Sequence, residues 1–262
     1  MITVEEFQNK AFSDQGELFK ALRENKASLI AQKKMATKFA DPIFFSPFIM
    51  EGEKMKAFKA DTVDVGNIKT LSMDLAINTT NLMDSYSDVH IPGLWTKSLK
   101  EKKDYYLIQE HAMKFDSIIT DEVVASAVMM NWKDLGANYP GQTQVLLFKV
   151  NVGKERNPFM FGQYAKGYVK NHSVGMRYMK LDLAINSESK WDAEEKEIWD
   201  KYIDQVANRE QAEDKGYFWA VTEAKVVEGS AVPMGSNWVT PTISIEVKTQ
   251  QNKANEFLTG LF

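Results

Sequence analysis

The amino-acid sequence predicts an α+β fold, in which helices and strands occupy different stretches of the chain. Apolar residues recur at helical spacing through the first 40 residues. From residue 68 to residue 152, apolar runs of strand length follow one another instead. Beyond them, an amphipathic helical stretch at residues 189–206 lies between two further strand-like segments.

Changes of pattern divide the chain into three parts. The sequence predicts an N-terminal amphipathic helical extension at residues 1–55, a main domain at residues 56–245 and a C-terminal tail at residues 246–262. Helical spacing ends near Pro42 and Pro47, because proline lacks the amide donor and restricts the residue before it. The extension either provides a handle for a partner or covers the main domain.

Local signals place the individual elements. Thr3 and Glu6 fit a capping box that would begin the first helix. Asn157 followed by Pro158 is a typical helix start, and a helical insertion is predicted at about residues 187–210. Strands are predicted at Ile68–Ile77, Tyr105–Ile108, Val123–Trp132, Val145–Val152, Val169–Ile185 and Tyr217–Glu228.

Composition and charge argue against several classes of function. The formal net charge of −4 and the isoelectric point near 5.6 disfavour a nucleic-acid binder, because phosphate contacts require a basic face. No run approaches the roughly 18 apolar residues of a membrane span. Acidic residues near the N-terminus stand where a secretory signal would carry positive charge. We therefore expect a cytoplasmic protein that binds neither nucleic acid nor membrane.

Reactive side chains are few in this sequence. The chain contains no cysteine, so disulfides, thiolate metal ligands and cysteine nucleophiles are excluded. Its imidazoles are His90, His111 and His172. They are not spaced to share a helix face, so no zinc site is expected, and no pattern implies a cofactor. His90 is expected in a loop near a turn.

Ser173 and His111 are the candidate nucleophile and general base. A serine hydroxyl attacks only when a base takes its proton, and histidine suits this role because its reference pKa is about 6.5. His111 follows a buried apolar run and should emerge at the end of a strand. His172 is adjacent to Ser173, so on a strand the two side chains point to opposite faces. His172 is therefore expected to be structural rather than the base.

Glu228 is the candidate third group. In the last predicted strand, Phe218, Ala220, Ala224 and Val226 alternate so that they share a face with Glu228. A carboxylate on an apolar face needs a partner. An imidazole N–H is one such partner, and a salt bridge to a nearby lysine is the alternative.

The residues after Ser173 are candidates for binding the substrate. Gly175 has no side chain, so another backbone could approach closely there. Backbone amides near Val174 and Gly175 are candidate donors to a developing oxyanion. Arg177 is expected on the same strand face as Ser173, where it either supports substrate or remains solvated.

Four ordered segments resemble the motifs of the prohead proteases of tailed phages. Residues 87–95 resemble the Asp-Val-x-x-Pro-Gly-aromatic motif of that family, and residues 107–111 resemble the strand that presents its catalytic histidine. Residues 170–177 resemble its nucleophile strand, and residues 227–233 resemble its Glu-Val-Ser-x-Val strand. The resemblance covers roughly residues 65–240, and the order histidine, serine, glutamate is kept.

The resemblance implies both a fold and an activity. The fold would be assemblin-like, a mainly antiparallel β-barrel flanked by helices, similar to the herpesvirus maturation proteases, which makes residues 56–245 a protease domain. The activity would be cleavage of the major capsid protein and of scaffold polypeptides inside the assembling procapsid, in the host cytoplasm. Self-cleavage and homo-oligomerisation are compatible with this role.

Two other functions compete with this prediction. The first is a non-enzymatic capsid-assembly or scaffolding protein on the same fold with a degenerate site. The second is a hydrolase that uses a pair of carboxylates, which is disfavoured because the acidic residues lie mostly on predicted helix faces.

Overall fold

The computed structural model describes residues 1–8, 10–36 and 68–248, which form an α+β fold. Its α-helices are α1 (Gln15–Glu24), α2 (Lys26–Met35), α3 (Thr96–Glu101), α4 (Pro158–Ala165), α5 (Ala193–Tyr202) and α6 (Arg209–Lys215). Its strands are β1 (Ile2–Thr3), β2 (Ala11–Phe12), β3 (Thr70–Thr79), β4 (Asp88–His90), β5 (Leu107–Gln109), β6 (Ile118–Thr120), β7 (Val123–Asn131), β8 (Gln142–Gly153), β9 (Asn171–Ile185), β10 (Tyr217–Val232) and β11 (Thr242–Lys248).

Two larger sheets organise these strands, and the first of them is mixed. In this first sheet, β10 pairs antiparallel with β9 along most of its length and parallel with β4 and β5, and β6 pairs with β5. The second sheet has the order β11-β3-β8-β7 and is antiparallel. The described strands form no closed barrel, so the predicted barrel is unconfirmed whereas the α+β class is confirmed.

The main core joins the two sheets, and a glycine lets them come close. A Cβ added at Gly229 in β10 would lie 2.7 Å from the Phe148 ring of β8 and 3.2 Å from Ile77 of β3. Gly229 therefore faces the second sheet, and its neighbours Glu228 and Ser230 point to the other face of β10.

The N-terminal region, residues 1–8 and 10–36, shares this core. Phe12, Leu18 and Leu22 are fully or almost fully buried in it. The Lys33 ammonium of α2 lies 2.6 Å from Asp88 of β4 and 3.8 Å from Glu6, and all three side chains are at least nine-tenths buried. Burial alone would lower the pKa of Lys33, but the attraction of Asp88 and Glu6 outweighs it and raises that pKa. This packing favours the extension as part of the fold over a separate handle.

A chain of buried hydrogen bonds runs from Asp88 to the segment that follows β10. Tyr178 donates its hydroxyl proton to Asp88 at 2.8 Å. Its oxygen therefore accepts from His90 Nε2 at 3.0 Å, and His90 Nδ1 accepts from the Asn78 amide at 3.0 Å. Asn237 donates to Asn78 at 2.7 Å. His90 lies in β4 and is buried, so the prediction of a loop histidine is wrong.

Most element predictions are confirmed, and the exceptions have physical causes. Thr3 lies in β1 rather than in a capping box, because the first α-helix begins only at Asp14, whose side chain accepts from the Glu17 amide at 2.9 Å. Helix α6 and strands β1, β2, β4, β6 and β11 were not predicted. The boundary near residue 55 and residues 249–262 lie outside the described part, so the predicted domain limits stay predictions.

Replacement of Lys33 by methionine should destabilise the fold, because it leaves two buried carboxylates uncompensated. We expect the free energy of unfolding to fall by about 3 kcal/mol or more, as measured by urea denaturation. Lys20→Met is the matched control, since the Lys20–Glu24 pair is exposed and 4.0 Å apart and should contribute less than about 0.5 kcal/mol. Equal effects of the two substitutions would contradict a structural role of the buried pair.

Candidate active site

A tight turn after β5 presents His111. Glu110 and His111 both adopt left-handed backbone conformations, with φ of 51° and 57°. Such conformations cost roughly 1–2 kcal/mol for each non-glycine residue and persist only where neighbouring groups hold them. Here the Glu110 amide donates to the Ala231 carbonyl at 3.0 Å, and the His111 amide donates to Ser230 Oγ at 3.1 Å. Strand β10 therefore fixes the turn that carries the imidazole.

Glu228 orients the His111 ring. Its side chain is fully buried, and its Oε1 lies 2.6 Å from His111 Nδ1. A carboxylate oxygen accepts, so Nδ1 carries the proton and donates it to this bond. Oε2 accepts from Ser230 Oγ at 2.7 Å. In this tautomer, Nε2 is the nitrogen that could accept a proton from a nucleophile.

Ser230 completes this arrangement, and sequence reasoning missed it. Its hydroxyl donates to the carboxylate of Glu228 and accepts from the backbone of His111, so one side chain holds both members of the pair. Residues two apart on a strand share a face. Alternation along β10 from Glu228 was thus the signal that could have identified Ser230.

The predicted packing of Glu228 is only partly right. Strand β10 contains register shifts between Val221 and Glu223, at Glu223/Ala224, and between Val226 and Glu228. Such irregularities change which face a residue occupies. Phe218 and Ala220 accordingly pack in one apolar cluster and Ala224 and Val226 in another. The expectation that all four share the face of Glu228 is wrong.

Ser173 lies beside the His111–Glu228 pair, on the neighbouring strand. In the β9–β10 register, Ser173 is directly opposite Ser230 and Gly175 is directly opposite Glu228. Opposite residues in antiparallel strands have side chains on the same face, with Cβ atoms about 4.5–5.5 Å apart. Ser173 is therefore next to the residue that contacts both His111 and Glu228. Its side chain is mostly covered, with 7% of the residue exposed.

Gly175 makes room for the carboxylate. A Cβ at this position would overlap the Glu228 side chain at Oε1 and at the carboxyl carbon. The close approach predicted at Gly175 thus occurs, but the group that approaches is Glu228. Whether the Gly175 amide also binds substrate stays a prediction.

The described hydrogen bonds of His111 run from its amide to Ser230 and from its ring to Glu228, and none of them is to Ser173. Bonds between a catalytic nucleophile and its base are often long or poorly aligned in free enzymes and tighten when substrate binds. The structure thus brings His111 and Glu228 into contact and places Ser173 across one strand pair from them.

His172 lies on the opposite face of β9 and is fully buried. Its Nδ1 lies 3.0 Å from the Thr240 carbonyl, to which it must donate, and its Nε2 lies 3.0 Å from the Tyr164 hydroxyl, from which it accepts. Burial lowers its pKa to about 4, although the bond to Thr240 opposes this shift. His172 is therefore held neutral on the face of β9 opposite to Ser173, as alternation along a strand predicted.

The other predicted site residues lie close by. The Val174 side chain is buried in the main core, so only its backbone could contact substrate. Arg177 is exposed on the face of Ser173. Gly235, which was not predicted, packs against this strand: a Cβ there would lie 3.0 Å from the His172 carbonyl and 3.8 Å from Ser173 Cβ.

A small cavity of about 20 Å³ is lined in part by Ser173, but lies mainly against the opposite face of β9, which carries His172, Val174 and Met176. Its other lining residues are Ile77, Asn78, Asp84, Tyr86, His90, Tyr178, Ser236 and Asn237. The hydrogen-bonded chain that ends at Asn237 therefore also borders this cavity.

Comparison with protein-family models, curated proteins and solved structures finds no match to this chain. Within residues 1–8, 10–36 and 68–248, no cluster of histidine, aspartate and glutamate side chains is arranged to hold a metal ion. The helices within these residues are all too short or too polar to span a membrane.

The depressed pKa of His172 predicts a dependence of stability on pH. The unfolded chain binds a proton at this residue near pH 6.5 and the folded chain only near pH 4. The contribution of His172 to the free energy of unfolding is thus fully present above about pH 6.5 and is lost as the pH falls towards 4. Between about pH 7.5 and about pH 4.5, the loss should be about 2 to 3 kcal/mol.

Urea denaturation at both pH values tests this prediction. His172→Gln should lower stability at about pH 7.5 but flatten its pH dependence by that amount. An unchanged slope in the variant would show that other groups carry the pH dependence.

Replacement of Ser230 by alanine should loosen the His111–Glu228 contact, because both the carboxylate and the left-handed turn lose a partner. We expect the downfield proton NMR resonance of the hydrogen-bonded His111 Nδ1–H to disappear or broaden in the variant. Ser230→Thr keeps the hydroxyl and should retain the resonance.

Ser98→Ala is the matched control for Ser230→Ala. Ser98 is also buried, and its hydroxyl accepts a hydrogen bond from the Val226 amide of β10 at 2.9 Å. This bond does not involve His111. This control should keep the resonance. Its loss in both alanine variants would indicate a general loosening of β10 rather than a specific role of Ser230.

Proposed function

We propose that this protein is a serine endopeptidase in which Ser173 is the nucleophile, His111 is the general base and Glu228 orients the imidazole. The observation that carries the proposal is the 2.6 Å contact between the buried Glu228 carboxylate and His111 Nδ1, one strand pair away from Ser173. Nucleophile, base and orienting acid are the three parts that activate a serine in unrelated folds.

The proposed reaction is acyl transfer. After a side-chain rotation brings it to His111 Nε2, the Ser173 hydroxyl gives up its proton and its oxygen attacks the scissile carbonyl. The tetrahedral intermediate collapses, and the protonated imidazole gives its proton to the leaving amine. Water then attacks the acyl-enzyme, with His111 again as the base. Backbone amides near Val174 and Gly175 are the proposed donors to the oxyanion.

The proposed substrates are polypeptides, specifically the major capsid protein and scaffold proteins of a tailed phage. The four motifs that resemble prohead proteases support this choice. An assemblin-like β-barrel is part of the same proposal. One feature suits a peptide substrate: Met113 and Phe115, just beyond His111, are 65% and 93% exposed.

A non-enzymatic capsid-assembly protein is the second candidate. The observation that favours it is that the described hydrogen bonds of His111 run to Glu228 and Ser230 rather than to Ser173. On this alternative, the His111–Glu228 pair would only stabilise the end of β5. The two candidates differ in whether the capsid protein is cut.

Co-expression with the cognate capsid protein, followed by intact-mass measurement, tests the proposal. Ser173→Ala should reduce processing by about 10³-fold or more while leaving the fold intact. Ser244→Ala is the control, because Ser244 is exposed on β11, far along the chain from the site. Undiminished cleavage by Ser173→Ala would overturn the catalytic assignment, and no cleavage by any variant, wild type included, would favour the non-enzymatic candidate.

A further inference from the structure

The strand β7 is an unusually long and apolar sheet edge. It lies at the end of the second sheet and pairs with β8 through nine consecutive residues without a register shift. Its sequence, Val-Val-Ala-Ser-Ala-Val-Met-Met-Asn, contains no charge, no proline and no glycine. Val124 is 68% exposed and Met129 is 54% exposed. Natural proteins usually protect such edges with charges, prolines or bulges, since a bare edge pairs with other strands.

The backbone pattern shows which groups face outward. Asn151 donates to the Glu122 carbonyl at one end of the β7–β8 ladder, and Trp132 donates to the Gly141 carbonyl at the other. Hydrogen-bonded pairs alternate along an antiparallel ladder. Even-numbered residues of β7 therefore bond to β8, and odd-numbered residues such as Ala125 and Ala127 point their N–H and C=O outward. In the described part of the chain, no other strand pairs with these outward groups.

We propose that β7 pairs antiparallel with β7 of a second copy of this chain, about a two-fold axis at Ser126. The strand is nearly palindromic about this residue. Ala125 would oppose Ala127 of the second copy, Val124 would oppose Val128, and Val123 would oppose Met129. An isologous interface requires this kind of self-complementarity, because the same surface must serve as both partners.

The register follows from the side chains and from the backbone together. Ala125 and Ala127 present outward hydrogen-bonding groups, so the pairing that places them opposite each other forms two-way backbone bonds on either side of Ser126. A shift of the axis by one residue, to position 125 or 127, places Ser126 against a valine instead of against the second Ser126 hydroxyl. No charged side chains oppose one another within the strand, so the pairing meets no electrostatic repulsion there.

The pairing also covers the exposed apolar surface. Val124 of each copy packs against Val128 of the other, and Met129 packs against Val123. A strand of foreign sequence would need matching small and branched residues, whereas a second copy supplies them in the required order. This inference does not depend on the proposed peptidase activity.

Cysteine cross-linking tests the register directly, because the natural chain contains no cysteine. At the two-fold axis, the Cα atoms of opposite Ser126 residues would be about 4.5 Å apart, within the range of a disulfide. Ser126→Cys should therefore form a covalent dimer under mild oxidation. Val124→Cys should not, because its two copies would lie about 13 Å apart along the strands.

The matched arms of the experiment separate specific pairing from collision. Val124→Cys and Val128→Cys should each stay monomeric on non-reducing gels but give a disulfide-linked dimer when the two variants are mixed. Random collision would instead cross-link Val124→Cys with itself faster than Ser126→Cys, since Val124 is the more exposed of the two positions. Circular dichroism of each full-length variant checks that the fold is retained.

Two results would overturn the proposal. One is a Ser126→Cys variant that keeps its fold but remains monomeric. The other is cross-linking of Val124→Cys with itself that is as fast as that of Ser126→Cys. In either case, β7 would not pair with its own copy in this register.

Discussion

The buried carboxylate of Glu228 is the interaction on which the rest of the candidate site depends. It is fully buried, and a charge in that position is tolerated only because His111 and Ser230 satisfy its two oxygens. The same contacts fix the tautomer of His111 and hold its left-handed turn. Gly175 is required opposite the carboxylate, since any side chain there would overlap it. The contacts of this one buried carboxylate thus constrain β9, β10 and the turn that carries His111.

The fold supports this arrangement from a distance as well as locally. Gly229 brings β10 against the second sheet, which turns Glu228 and Ser230 to the opposite face. The buried chain of hydrogen bonds from Asp88 to Asn237 links β4 to the segment that covers Ser173, and Lys33 of the N-terminal region pairs with Asp88 at the start of that chain. The N-terminal helices are therefore connected, through buried polar groups, to the segment that packs against Ser173.

The sequence predicted most of the longer strands and, as one of two alternatives, the pairing of an imidazole with Glu228, but not the details that set the site. Apolar runs such as that of β7 are long enough to indicate strands, and a carboxylate among apolar residues indicates a missing partner. The irregular register of β10 could not be predicted, because it depends on how that strand packs against its neighbours. For the same reason, the burial of His90 became visible only once the strand neighbours were known, whereas alternation along β10 from Glu228 could have indicated Ser230.

The most direct test of the central claim is the site and rate of labelling by a serine-directed fluorophosphonate, mapped by peptide mass spectrometry. If Glu228 and His111 activate Ser173, the adduct will be on Ser173, and both His111→Ala and Glu228→Gln will slow its formation by an order of magnitude or more. Labelling of a different serine, or labelling of Ser173 at an unchanged rate in both variants, would contradict the account.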